Sequence, residues 1–208
     1  MGLFQKKIVP VSVPRYNLGH QDTKLIVGLG NIGAQYTSTR HNFGFECIDS
    51  LAQSEDFSPW TEKKELKSML CAKIINGKKV ILCKPTTFMN LSGEAVHAVQ
   101  HFYKITSKDT CVLHDDLDIE FGTIRTREGG SDAGNNGVKS LKKHIRDEFW
   151  RIRLGIGPKE PAEIDTADFV LQKFSKSQLA QLGSIHSEAH SLLNDWLSGA
   201  HQPDTRTI

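Results

Sequence analysis

Much that would narrow the class of a 208-residue chain is missing from this one. No apolar run exceeds five residues, against the ~20 needed to cross a bilayer as a helix, so the chain reads as soluble with no membrane partner. Its four cysteines, Cys47, Cys71, Cys83 and Cys111, form no C-x-x-C pair and follow no secretory segment. Neither a zinc ribbon nor a disulfide framework is expected, and they read as reduced core thiols. Internal repeats, low-complexity tracts and a linker between two halves are also missing, which leaves one domain over 23–208. Acidic residues are lacking from Met1 to Gln21, a stretch that holds Lys6, Lys7, Arg15 and His20. Residues 1–22 are expected to be an extension outside the fold, basic in the manner of a mitochondrial targeting segment.

What is present begins with an uneven distribution of charge. The net charge is +2, yet between Phe121 and Arg153 eight basic residues (Arg125, Arg127, Lys139, Lys142, Lys143, Arg146, Arg151, Arg153) stand against four acidic ones (Glu128, Asp132, Asp147, Glu148). Such a block suits a polyanion, because phosphate contacts release counterions. A solvated helix face would give the same count.

A short apolar run stopped by glycines predicts a buried strand at Lys24–Leu29, one-face spacing predicts a helix over Asn42–Ala52, and the type I′ turn pair Asn76-Gly77 marks antiparallel strands at Ser68–Ile75 and Lys79–Lys84. A helix follows with Ser92 as N-cap, then a strand at Thr110–Leu113, an alternating strand through Ile152, Leu154 and Ile156, and a long helix from Leu179 to Trp196. Residues 157–175 carry no assignable pattern. Strands interleaved with helices predict an α/β fold, a single three-layer αβα domain with a mixed, mostly parallel twisted sheet. Sites in such folds lie beyond the carboxyl ends of the strands.

Four polar clusters sit at those ends. Gly28-Leu29-Gly30-Asn31-Ile32-Gly33 matches the dinucleotide pattern G-x-G-x-x-G, but no helix opens there and no acid ends a second strand about 20 residues on. The glycines instead let the chain turn and bring Asn31 to a surface. His41 lies between Arg40 and Asn42 before a helix. A carboxylate such as Asp115 bonded to one ring nitrogen would free the other to take a proton from water. In an extended His114–Asp118 segment Asp115 faces away from His114, Asp116 and Asp118, which could alternatively form a metal site or a structural cluster. No companion ligand stands elsewhere, so no metal and no cofactor is expected. Asn31 and Asn90 are turn residues or, as a pair with His41, a grip for an amide and a developing oxyanion.

Six segments in order, Gly28–Gly33, Tyr36–Gly44, Lys84–Gly93, His114–Asp118, Gly134–Ser140 and Arg151–Gly157, resemble the successive signatures of the bacterial-type peptidyl-tRNA hydrolases, over Lys24 to about Phe174. The resemblance implies hydrolysis of the ester between a peptide, or an N-blocked amino acid, and the 3′-terminal ribose of tRNA. It makes His41 the general base and Asp115 its orienting partner. Asn31 and Asn90 would hold the substrate, Asn136 would place peptide or water, and Tyr36, Phe88 and Met89 would line the cleft. Arg125, Arg127 and Arg153 would meet tRNA phosphates. A monomer of mitochondrial location is the expected state. Ile32 stands where the family usually has Pro, and Asn135 where many members have His. Ser131-Asp132-Ala133 makes the glycine-rich loop more acidic than usual. The alternative is a non-catalytic RNA-binding relative of the splicing-factor kind.

Overall fold

The computed structural model describes residues 22–208, so the expectations for the extension fall outside the described residues. In chain order the elements are β1 (Thr23–Gly28), α1 (Phe43–Ser54), β2 (Thr61–Lys63), β3 (Ser68–Ile75), β4 (Lys78–Pro85), α2 (Ser92–Tyr103) and β5 (Thr110–Glu120). They continue with β6 (Thr123–Glu128), α3 (Asn136–Ile145), β7 (Trp150–Gly157), α4 (Thr166–Val170), α5 (Lys176–Leu179), α6 (Leu182–Ser198) and β8 (Thr205–Thr207).

One eight-stranded sheet runs in the order β2-β3-β4-β1-β5-β7-β6-β8. Its centre, β4-β1-β5-β7, is parallel, and both margins are antiparallel. Alternation along β1 explains the layers. Ile26 packs into one core with α1 and α6, while Leu25 and Val27 enter a second core with α2 and α3 on the opposite face. The expected mixed three-layer αβα sheet is therefore the observed one. At the β3–β4 hairpin Ile75 pairs with Lys78, and both turn residues, Asn76 and Gly77, have positive φ as a type I′ turn requires.

Three differences from the sequence reading have physical causes. Strand β5 does not stop at Leu113 but continues to Glu120, because β7 pairs with it through Asp116 and again at Glu120. Ser92 is the first residue of α2 and not its cap; a 3₁₀ turn at Met89–Leu91 runs directly into the helix, and the Gly93 N–H finds Ser140 Oγ at 3.0 Å. The closing helix is broken after Leu179, where a Ser175/Gln178 capping box makes α5 a separate turn, and α6 ends at Gly199 with φ 83°. The edge strands β2 and β8, three residues each, and the five-residue α4 are too short to show a period, and the six-residue β6 has a single apolar side chain, Ile124, and so no alternation to read.

Candidate active site

The site is assembled by close backbone packing at the end of β1. A Cβ on Gly28 would lie 2.4 Å from the Gly44 carbonyl oxygen, and one on Gly44 would lie 2.4 Å from that of Leu113. These two glycines let the start of α1 rest directly on β1 and β5. The 3₁₀ turn Arg40–Asn42 that precedes α1 is thereby brought over the extended part of β5.

There the His41 Nδ1–H donates to Asp115 Oδ2 at 2.8 Å, with His41 9% and Asp115 3% exposed. The carboxylate only accepts, so this bond fixes the tautomer and leaves Nε2 unprotonated. Burial lowers the affinity of the imidazole for a proton. The charge of Asp115 and its hydrogen bond outweigh that and raise the His41 pKa above its ordinary 6.5. The other carboxylate oxygen of Asp115 accepts from Asn135 Nδ2 at 2.9 Å. Asn135 Oδ1 in turn accepts from the N–H groups of Gly137 and Val138, capping α3.

Asn31 is fixed from three sides. Its N–H donates to Asn42 Oδ1 at 2.8 Å, its carbonyl accepts from Asn42 Nδ2 at 3.0 Å, and its Oδ1 accepts the Met89 N–H at 2.8 Å. The free end of this side chain is therefore its donor, Nδ2. Asn42, occupied in this way, makes no cap bond to α1.

A cleft of about 520 Å³ opens above these groups and is lined by Asn31, His41, Phe88, Met89, Asn90, Asp115 and Asn136, together with Asn135 and Leu117. Its far wall is α4 and its approach: Asp165, Thr166, Ala167, Val170 and Leu171. Asn90 and Asn136 are exposed at the rim, and Phe88 is 54% exposed. Tyr36 does not line the cleft; it meets Phe88 edge-on with ring centroids 6.5 Å apart.

The other face of β5 is structural. Asp116 Oδ2 accepts from Arg153 Nε at 2.8 Å, and Asp116 Oδ1 accepts the Asp118 N–H. His114 is sealed in the interior, donates from Nδ1 to the Asp115 carbonyl, and is driven down to a pKa of about 4 by burial and by Arg151. Among the described residues no group of three His, Cys, Asp or Glu is disposed to hold a metal ion. The cysteine thiols lie in the cores, and burial pushes those of Cys71 and Cys83 up to about 12.

The basic block divides into different environments. Cross-strand pairs Arg125 with Arg153 and Arg127 with Arg151 align four guanidinium groups on one face of β6 and β7. Arg125 is exposed, Arg127 is half-buried over Gly130, and Arg153 is committed to Asp116. Arg151 is wholly buried, with Nη1 on the Ser131 carbonyl, so it presents no charge to a partner.

Sequence reasoning did not give roles to Asn42, Asn135 or the α4 wall. Asn135 had a signal, an asparagine directly before a helix, whereas Asn42 works through backbone groups eleven residues away and gives none.

An imidazole held by a carboxylate at the floor of a cleft edged with carboxamides, on the carboxyl-end rim of a parallel sheet, defines a hydrolase. A family model described as peptidyl-tRNA hydrolase matches residues 25–207. The chain is 45% identical over 175 residues to the peptidyl-tRNA hydrolase of Exiguobacterium sibiricum, covering 84% of this chain and 93% of the relative. To that of Levilactobacillus brevis it is 41% identical over 178 residues, covering 85% and 94%. The crystal structure of the Acinetobacter baumannii peptidyl-tRNA hydrolase matches with a TM-score of 0.77 at 32% identity, over 86% of this chain and 90% of that one. The chain belongs to the bacterial-type peptidyl-tRNA hydrolase family.

Proposed function

We propose that this cleft hydrolyses the ester joining a peptidyl or N-blocked aminoacyl group to the 3′-terminal ribose of tRNA. The observation that carries the reading is the 2.8 Å His41–Asp115 hydrogen bond at the floor of a cleft edged by Asn31, Asn90 and Asn136. His41 Nε2 takes a proton from water as the oxygen attacks the ester carbonyl, and Asp115 stabilises the imidazolium that forms. The Asn31 Nδ2 donor, aimed by its bond to Met89, and the Asn90 carboxamide stabilise the tetrahedral oxyanion. As the intermediate collapses, the acyl–oxygen bond breaks and the proton on His41 passes to the departing ribose oxygen. Phe88 and Met89 line the acyl and ribose path, with Tyr36 backing Phe88. Asn136 places the peptide or the water.

Selectivity follows from pairing. A free aminoacyl-tRNA presents an amine substantially protonated near neutral pH, whereas a blocked one presents an amide that carboxamides pair with. Unpaired buried polar groups cost about 1–3 kcal/mol, or roughly tenfold to hundredfold in discrimination. Arg125 and Arg127 meet the tRNA phosphates, with Arg153 contributing the part of its guanidinium not held by Asp116. The protein acts as a monomer, and its basic, acid-free first 21 residues support a mitochondrial location.

The test is release of acyl groups from N-acetyl-aminoacyl-tRNA and from its unacetylated counterpart. Release from the acetylated substrate is expected to be roughly tenfold to hundredfold faster than from the unacetylated one, with a loss of about 10²–10⁴-fold in His41→Ala. Equal turnover in His41→Ala assigns the chemistry to another group. Binding of tRNA without any turnover favours the RNA-binding alternative.

A further inference from the structure

Between Pro158 and Gln181 only two side chains are buried, Phe169 in α4 and Phe174 before α5. Both lie under one cation. The Arg40 guanidinium carbon is 4.3 Å from the Phe169 ring centroid and 5.6 Å from that of Phe174, and the residue is 8% exposed. Its Nη1 donates to the Lys173 carbonyl at 3.0 Å and its Nη2 to Gln178 Oε1 at 3.3 Å, the same oxygen that accepts the Ser175 N–H in the α5 capping box. The Arg40 backbone N–H donates to the Gln172 carbonyl, and Thr39 forms a β-bridge with Lys173.

Helices of five and four residues do not persist by themselves, so α4 and α5 owe their placement to such tertiary contacts. The chain on both sides of the anchor is functional: His41 is the next residue after Arg40, and α4 with its approach forms the cleft wall facing His41. The guanidinium itself does not line the cleft. A flat fork that stacks on rings while donating along two directions is a property of arginine that lysine lacks.

We infer that Arg40 is a positioning residue that holds the α4 wall at a fixed separation from His41 and thereby seats the acyl part of the substrate. The inference rests on the hydrolase reading for its kinetic consequence, though not for its structural one.

The test uses the full chain with Arg40→Met, Arg40→Lys and Gln178→Ala. Amide hydrogen exchange in Arg40→Met is expected to speed up at least roughly tenfold across 165–179, with α1 and β5 as protected as in wild type. On N-acetyl-aminoacyl-tRNA, KM rises roughly tenfold while the midpoint of the acid limb of kcat stays in place, because the His41–Asp115 pair is untouched. Arg40→Lys recovers part of the loss. Gln178→Ala removes one anchor together with the α5 capping box and leaves the rings in place, so exchange in α4 (166–170), which that box does not touch, rises by a smaller amount and decides the matter should Arg40→Met not fold. Unchanged exchange across 165–179 overturns the inference, as does a lowered melting temperature with unaltered KM, which makes Arg40 a fold residue only. A shifted acid limb also overturns it, since Arg40 would then be acting on the imidazole. Wild type without turnover counts against the hydrolase reading alone, and the exchange measurement still decides the role of Arg40.

Discussion

Asp115 influences His41 through orientation and through charge, and pH separates the two. The imidazole must be neutral to accept a proton, and its pKa lies above 6.5 because Asp115 overcomes the effect of burial. The rate kcat/KM is therefore expected to fall as pH drops through a midpoint above 6.5. In Asp115→Asn burial acts unopposed and the midpoint moves down, while the plateau falls by about 10²–10⁴-fold because the tautomer is no longer fixed. A pH–rate profile of both proteins checks this, and an acid limb that does not move on removing the carboxylate would contradict it. Stability runs the other way. Since the folded value exceeds the unfolded one, the ion pair contributes fully below about pH 6.5 and that contribution is lost as pH rises through the folded value. Catalytic competence increases over the interval in which the pair's contribution to folding declines.

At the scale of elements, the contact of α1 with β1 and β5 decides whether the site exists. Gly44→Ala forces a Cβ to within 2.4 Å of the Leu113 carbonyl oxygen, a backbone atom that cannot swing aside. Overpacking of this kind is expected to destabilise by about 1–3 kcal/mol, read from a shifted denaturation midpoint at unchanged m-value. Activity should fall with it, because α1 carries His41 away from Asp115. Stability equal to wild type would mean that the helix tolerates lifting. This contact also marks the limit of what the sequence discloses. Helix α1 was legible because its apolar side chains share one face, β1 because a short apolar run stops at glycines, and β3 and β4 because Asn76-Gly77 marks the turn between them. That His41, Asp115, Asn31 and Asn90 share one cleft was foreseeable because polar clusters soon after successive strands of an α/β sheet meet at a common rim. Asn42 and the α4 wall were not, since a carboxamide that serves a neighbouring backbone looks like any turn residue, and a five-residue helix holds too few turns to show a period. Arg151 misled for a related reason, as a basic residue in a strand reads as surface until its register is known.

For the whole molecule, the charges that matter are those that remain free after folding. Arg125→Ala and Arg127→Ala are each expected to weaken tRNA binding and to lower the slope of log K against log salt by ~1. Arg153→Ala belongs to a different category. It leaves the buried Asp116 carboxylate without its partner, so its main effect is a loss of about 3–5 kcal/mol in folding stability, measurable by denaturation without RNA. A variant at 153 that keeps its stability while flattening the salt dependence would make phosphate contact, and not the pairing with Asp116, the main role of that arginine.

The four sealed thiols carry a consequence of their own. Each sulfur is buried and held in its protonated form, so the native protein offers no thiolate to peroxide, alkylating agent or glutathione. Its cysteines are thus shielded from oxidants while the chain is folded, and only a molecule that has already opened can be oxidised or cross-linked through these sulfurs.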